Sequence, residues 1–289
     1  MAACAVNWCA SDAKKFRALK CMRWTQLCRR PRLVQADGFL TPVECSLLRQ
    51  LARPKLAPTA AEDWAGTGAH RQRSASGCWL PRRDTPAHAW ASFGGPGTPA
   101  ARLVGLIEAR IARATGIPLD HGEPAQLLRY RRGEAYSLHP DFFDPADAAN
   151  LRNGGQRVAT FLVYLSTVDP AHGGATVFPR AVEERQGGCD GHTSVARQDR
   201  RAPGRVDDLG AREVLPIDSG RRGLRVAPVE GRAVWWRNTL EEGARGGGGV
   251  DVRSIHAGEP LGVGVGRGEK WLLSKWLRRE PFRVAVDAF

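Results

Sequence analysis

No run of apolar residues in this chain of 289 approaches the length needed to cross a bilayer. No two cysteines stand as C-x-x-C, which removes the usual spacing signal for a structural zinc site. The seven cysteines are an odd number: Cys4, Cys9, Cys21 and Cys28 crowd the first 28 residues, while Cys45, Cys78 and Cys189 are scattered. Neither a disulfide framework nor a redox compartment follows from that pattern. There is no βαβ alternation and no glycine-rich phosphate loop, which argues against a nucleotide-binding fold. Acids are almost missing from the first 32 positions, where only Asp12 occurs. That basic stretch also lacks the continuous apolar core of a secretory signal, so residues 1–33 read as a leader, targeting or disordered.

What is present is ordinary for a globular protein: 42% hydrophobic and 25% charged residues, on a chain long enough for a sizeable core. The net charge of +13 raises the question of an acidic partner such as nucleic acid. No zinc-finger, RNA-recognition or basic-helix pattern accompanies it. A composition rich in arginine and glycine is the simpler account, and nucleic acid is not the expected partner.

The folded part is expected to span residues 34–289. Thr41-Pro42-Val43-Glu44 has the form of a capping box with proline at the first helical position, and Leu47, Leu48 and Leu51 follow at helical spacing. Thr98-Pro99 opens a second helix with Leu103, Leu106, Ile107 and Ile111 as its apolar stripe, and Gly116 closes it. Beyond Gly116 the pattern predicts short strands at Ala125–Arg131, Ala135–Leu138, Val158–Ser166, Ala175–Phe178, Leu224–Ala227, Ala233–Arg237, Val252–His256 and Glu269–Arg278. Eight strands behind two helices predict a mainly β fold, a jelly roll with a helical flank. Residues 183–222 mix Arg, Asp and Gly without periodicity and read as an inserted surface loop, with a second flexible loop at 241–249.

The chemistry centres on His139-Pro140-Asp141. In an extended backbone, residues two apart point to one face, so an imidazole and a carboxylate stand side by side there. A second histidine would complete a 2-His-1-carboxylate triad, which leaves positions on Fe(II) open for co-substrate and oxygen. Taken alone, such a pair is more often a surface polar pair. Of the other histidines, His70, His88, His121, His172 and His192 sit in polar or Gly/Pro-rich contexts. His256 differs, because it ends the apparent strand VDVRSIH, after a strand that carries Trp235 and Trp236. Downstream, GEKWLLSKWLR read as a strand puts Lys270, Leu272, Ser274 and Trp276 on one face, and Trp271, Leu273, Lys275 and Leu277 on the other. Alternation alone leaves open which lysine faces the interior.

Together LLRYRRGEAYSLHPDFF, GGQRVATFLVYLS, GGATVFP, SIHAGEP and GEKWLLSKWLR resemble the prolyl 4-hydroxylase family of Fe(II)/2-oxoglutarate dioxygenases. The likeness extends upstream through ARPKLAPT, RSASGCWL and IEARIARATG and covers the chain from about Asp37 to Glu280. It implies a double-stranded β-helix core and an enzyme like the procollagen-proline 4-dioxygenases, acting on proline-rich peptides. Fe(II), 2-oxoglutarate, O2 and L-ascorbate are the implied cofactors and co-substrates. Carried over residue by residue, the resemblance makes His139, Asp141 and His256 the iron ligands. Lys270 becomes the cation for the distal carboxylate of 2-oxoglutarate, with Tyr130 and Thr176 as hydrogen-bond partners and Trp276 lining the same cavity. Tyr136 and Arg157 match positions facing the peptide groove, and Arg73–Leu80 matches a loop that covers it. Lys275, on the opposite face, is expected to tolerate substitution.

Three departures from the family pattern bear on these expectations. Pro140 removes a backbone donor and requires a strand edge or strand end. The His256-to-Lys270 connection carries an extra Gly/Val segment, and the insertion at 183–222 is long. The family implies the endoplasmic reticulum, but no signal or anchor can be read here. Two rival readings are a nucleic-acid demethylase of the same superfamily, which typically has arginine where Lys270 stands, and a non-catalytic peptide-binding scaffold.

Overall fold

Nine consecutive residues, Lys270–Arg278, form a strand in which every side chain is buried. A strand of this kind must lie inside a sheet that is covered on both faces. The computed structural model, which describes residues 22–59, 73–82, 84–181, 223–240, 249–262 and 268–284, builds the fold around it. The major sheet runs from edge to edge through β1 (Thr25–Cys28), β2 (Leu33–Ala36), β10 (Ala233–Arg237), β7 (Arg157–Tyr164), β12 (Lys270–Arg278), β5 (Ala125–Tyr130), β4 (Ala75–Leu80) and β3 (Ala57–Thr59). The minor sheet runs through β6 (Tyr136–His139), β11 (His256–Gly258), β8 (Thr176–Phe178) and β9 (Leu224–Val226). All pairings are antiparallel. Two antiparallel sheets with flanking helices are the expected jelly-roll body.

Strand alternation sorts the side chains into two layers. On one face of the major sheet Leu127, Phe161, Val163, Trp271, Leu273 and Leu277 pack against helix α1 (Pro42–Ala52) and helix α2 (Pro99–Thr115). On the other, Leu128, Leu162, Tyr164, Val234, Trp236 and Leu272 meet Phe178, Leu224 and Val226 of the minor sheet. Both helices begin as their sequences predict. Thr41 Oγ1 accepts from the Glu44 amide at 3.2 Å, and Glu44 Oε2 accepts from the Thr41 amide at 2.9 Å. Thr98 caps α2, and Gly116 ends it at a left-handed φ of 71°. The apolar stripe of α2 is core: truncating Ile107, 2% exposed, to alanine is expected to cost about 2–5 kcal/mol. Among the described residues, no helix is long and apolar enough to cross a membrane.

The structure departs from the sequence reading in three places. The folded body starts before residue 33, because Thr25–Cys28 pairs with Leu33–Ala36 as a hairpin on the sheet edge. Basic loop residues hid a strand only four residues long. Arg73–Leu80 is not a covering loop: Ala75–Leu80 is strand β4, held against β5, and Gly77 allows their close approach because a Cβ there would meet Leu127 O at 2.8 Å. VDVRSIH is not one strand either. Asp251 caps a single 3-10 turn, Val252–Ser254, and His256 opens β11 instead of closing a strand. Residues 1–21 and the insertion at 183–222 lie outside the described residues.

Candidate active site

Strand β6 stops at His139, so Pro140 follows the last ladder position and no hydrogen bond is lost to it. On the neighbouring strand His256 stands directly opposite His139 in the register. Cross-strand partners are the closest side chains a sheet can offer, and the two ring centroids are 4.3 Å apart. Asp141, just past the strand, turns back toward both. Its Oδ1 lies 3.8 Å from His139 Nε2, and its Oδ2 lies 3.5 Å from His256 Nε2. One donor atom from each residue falls within 4.8 Å of the others, and all three residues are buried.

Neighbouring groups fix each donor. His139 Nδ1 lies 2.7 Å from Ser137 O, and His256 Nδ1 lies 2.9 Å from Ser254 O. A carbonyl can only accept, so both Nδ1 atoms carry a proton and both Nε2 atoms face the centre. Burial, with His256 alongside, pushes His139 down to about 3, so its ring is neutral at physiological pH. For Asp141, burial opposes ionisation, but His256, His139, Arg157 and the Thr160 hydroxyl together hold it below the usual carboxylate range. Two imidazoles and one carboxylate, with their free donor atoms turned to one point, suit a divalent first-row metal. Thr160 Oγ1 donates to Asp141 Oδ2 at 2.7 Å and accepts from Asn238 Nδ2 at 2.9 Å, which orients the carboxylate from behind. The Tyr136 ring stacks on His139 at 3.5 Å, and Trp236 packs its edge against His256 at 4.7 Å.

The donors open into a cavity whose wall includes Tyr130, Tyr136, Thr176, Lys270 and Trp276. Lys270 is opposite Tyr130 in the β12–β5 register, and its ammonium sits 5.1 Å from the Tyr130 ring. Burial pushes this lysine down to about 8, offset in part by Glu259, which is itself engaged by Arg225 at 2.8 Å. Thr176 lines the cavity, but its hydroxyl is also 2.7 Å from that of Tyr164. Arg157 meets the cavity wall through Trp276: its guanidinium lies 4.3 Å over the indole and is gripped by Glu123 at 2.6 and 2.8 Å. The long connection before Lys270 has not displaced it, since the strand enters in register at that residue.

The cluster thus brings together His139, Asp141 and His256, with Lys270, Tyr130, Thr176, Trp276 and Tyr136 around them. One expectation fails. Lys275 faces the helices and is as buried as Lys270, at 2% exposure, with its ammonium 2.6 Å from Glu108 Oε1 and 2.7 Å from Glu123 O. Sequence reasoning missed Thr160, Asn238 and Glu123. Thr160 had a signal, a polar residue in phase with Leu162 and Tyr164 on the inner face of VATFLVY; Asn238 and Glu123 had none.

Residues 125–278 match the family model of the 2OG-Fe(II) oxygenase superfamily. The chain is 32% identical over 277 residues to probable prolyl 4-hydroxylase 10 of Arabidopsis thaliana, covering 94% of this chain and 76% of that protein. It is 33% identical over 253 residues to prolyl 4-hydroxylase 1 of the same plant, covering 86% and 70%. Among solved structures, the viral collagen prolyl hydroxylase of Paramecium Bursaria Chlorella virus-1, in its 2OG complex, has the same fold. Its TM-score is 0.50 at 20% identity, covering 85% of this chain and 95% of that one.

Proposed function

The chain belongs to the prolyl 4-hydroxylase family within the 2OG-Fe(II) oxygenase superfamily, and on that footing we propose that it hydroxylates peptidyl proline to 4-hydroxyproline. The convergence of His139, Asp141 and His256 on one point carries the reading, because their donor set fits Fe(II) and leaves room for further ligands. With 2-oxoglutarate and O2, the iron supplies the oxidising chemistry that converts the co-substrate to succinate and CO2 and adds one oxygen atom to C4 of the prolyl ring.

The protein's own residues bind, orient and exclude water. Lys270 is assigned to the distal carboxylate of 2-oxoglutarate, since a buried ammonium facing a cavity calls for an anion. Tyr130 and Thr176 stand beside it and are assigned to the same carboxylate. Ser137 O and Ser254 O hold the imidazoles, while Thr160 and Asn238 hold the carboxylate, so the donors are oriented before a metal arrives. Trp236 and Leu272 give the pocket apolar walls, with Phe178 packed against Trp236, and low-polarity walls strengthen every charge interaction in it. Tyr136, Trp276 and, behind the indole, Arg157 form the wall assigned to a proline-rich peptide. On the family resemblance alone we extend the proposal to L-ascorbate.

The test pairs metal analysis with succinate release and product mass, using a proline-rich peptide and a methylated single-stranded DNA. Peptide oxygenation that requires Fe(II) is the expected result. His139→Ala and His256→Ala should lose it while keeping the circular dichroism of the parent, and His172→Ala should keep it. Turnover of the DNA but not the peptide would point to the demethylase reading. A folded protein that binds metal and releases no succinate with either would point to a binding scaffold.

A further inference from the structure

Lys270 is the first residue of β12, and its side chain lines the cavity. Upstream of it stand half-buried Glu269 and exposed Gly268, so the ammonium hangs from a strand end, where a ladder frays first. On one flank Lys270 is paired with Tyr130 of β5. On the other flank β7 ends at Tyr164, whose partner Leu272 lies two residues further in. Past that rung the Leu165 amide still donates to Trp271 O at 2.8 Å. The Trp271 amide then meets a side chain: it donates to Ser166 Oγ at 2.8 Å, and the same hydroxyl donates to Glu269 O at 3.0 Å. One hydroxyl thus replaces a rung of the ladder and closes on the peptide groups before and after Lys270.

A second set of contacts holds these residues from the helix face. Glu269 Oε2 accepts from Trp271 Nε1 at 2.9 Å, and Oε1 lies 3.5 Å from Arg129 Nη1 on β5. Arg53 and Arg131 also approach this carboxylate, at 3.2 and 3.7 Å, but both are more than half exposed and add little. Alternation puts Glu269 and Trp271 on one face and Lys270 on the other. Anchoring the first two toward the helices therefore turns Lys270 toward the cavity. Neither Ser166 nor Glu269 is among the residues that line it.

We infer that Ser166 and Glu269 form a clamp that fixes the Lys270 backbone and so sets the affinity for 2-oxoglutarate. Both are positioning residues that act through Lys270. The clamp rests on the assignment of Lys270 to the distal carboxylate and adds the device that aims it. A ligand held at both ends cannot follow a displaced ammonium, so a frayed strand end is felt as lost affinity.

Anaerobic calorimetry of the Fe(II)-loaded full chain with 2-oxoglutarate, paired with backbone hydrogen exchange over residues 268–273, tests the clamp. Ser166→Ala should raise the Kd for 2-oxoglutarate about fivefold to tenfold, the equivalent of one ordinary hydrogen bond. Its Fe(II) affinity should stay at the parent's value while the Trp271 amide exchanges faster. In turnover the loss should appear in KM for 2-oxoglutarate, with kcat at saturation kept. Ser166→Thr, which retains the hydroxyl, should restore both affinity and protection. Glu269→Ala should behave like Ser166→Ala, and Glu269→Gln, which can still accept from the indole, should lose less. Ile107→Val lowers stability without touching the clamp and should leave the Kd unchanged. Parent-like affinity in Ser166→Ala and Glu269→Ala, with Lys270→Ala strongly weakened, overturns the clamp and leaves the functional reading standing. An equal loss in Ile107→Val, or a matching loss of Fe(II) in Ser166→Ala, would show general loosening and also overturn it. Unchanged 2-oxoglutarate affinity in Lys270→Ala removes the assignment beneath it.

Discussion

Replacing Lys275 with alanine tests the architecture most directly, because strand periodicity alone presents it as harmless. In the folded chain Lys275 spans the interface between the major sheet and α2, where its ammonium reaches Glu108 at 2.6 Å and the Glu123 carbonyl at 2.7 Å. Both Lys275 and Glu108 are 2% exposed. Around them lie Leu80, Val104, Ile107, Ile111, Ala125 and Leu273, an apolar setting that solvates a lone carboxylate poorly. Breaking a buried pair by removing one partner costs about 3–5 kcal/mol, since the remaining charge is left uncompensated. At roughly 2–4 °C per kcal/mol for a domain somewhat smaller than this one, the melting temperature should fall by on the order of 10 °C. Replacing both charges with apolar residues of similar volume, Lys275→Met with Glu108→Leu, should restore most of the loss, because the desolvation penalty disappears along with the attraction. Urea unfolding of the parent, Lys275→Met, Glu108→Leu and the double variant closes the thermodynamic cycle. A loss below about 1 kcal/mol for Lys275→Ala, or a double variant no better than the single, would refute the argument. At temperatures where the single variant is folded, its KM for 2-oxoglutarate should match the parent's, which separates this lysine from Lys270.

Lys270 should show the opposite behaviour. Its displacement from 10.5 to about 8 makes the charged form costly in the fold, by roughly 3 kcal/mol at about 1.4 kcal/mol per tenfold change. Lys270→Met should therefore raise the stability of the metal-free protein at pH 7 while weakening 2-oxoglutarate binding by about 2–5 kcal/mol. Because the folded value lies below the unfolded one, the unfolded chain binds more protons between about pH 8 and 10, and this group makes the parent more stable as pH rises through that window. Over the same window 2-oxoglutarate affinity in the parent should fall, as the free enzyme loses the ammonium that the ligand needs. Lys270→Arg should lack that fall, and anaerobic calorimetry across pH reads both; a flat parent profile would refute the assignment. Thr160→Val should leave Asp141 Oδ2 without its donor and Asn238 without its acceptor, lowering metal affinity about 10–100-fold with the fold retained. An unchanged metal affinity in that variant would show that Asp141 is held by other contacts.

The sequence by itself determined which residue types could build the site and where their strands lay. His139 and Asp141 share a local motif, Pro140 marks the strand end that the fold uses, and Thr41 and Thr98 announce both helices. These features depend on neighbours a few positions away, so short-range periodicity carries them. The pairing of His256 with His139 could only be guessed at, because the register between β6 and β11 joins segments more than a hundred residues apart. The turn that delivers His256 looked like a strand, since Asp251 as a cap and Val252 as a strand former give conflicting local signals. The two lysines of β12 show the limit most plainly. Alternation put them on opposite faces, and that held, but it could not tell what covers each face. Glu108 comes from a helix and Glu123 from a loop, both far away in the chain, and the open cavity over Lys270 comes from the minor sheet. Whether a buried ammonium meets a carboxylate, as Lys275 does, or faces a cavity, as Lys270 does, is decided by elements that the strand's own sequence does not encode.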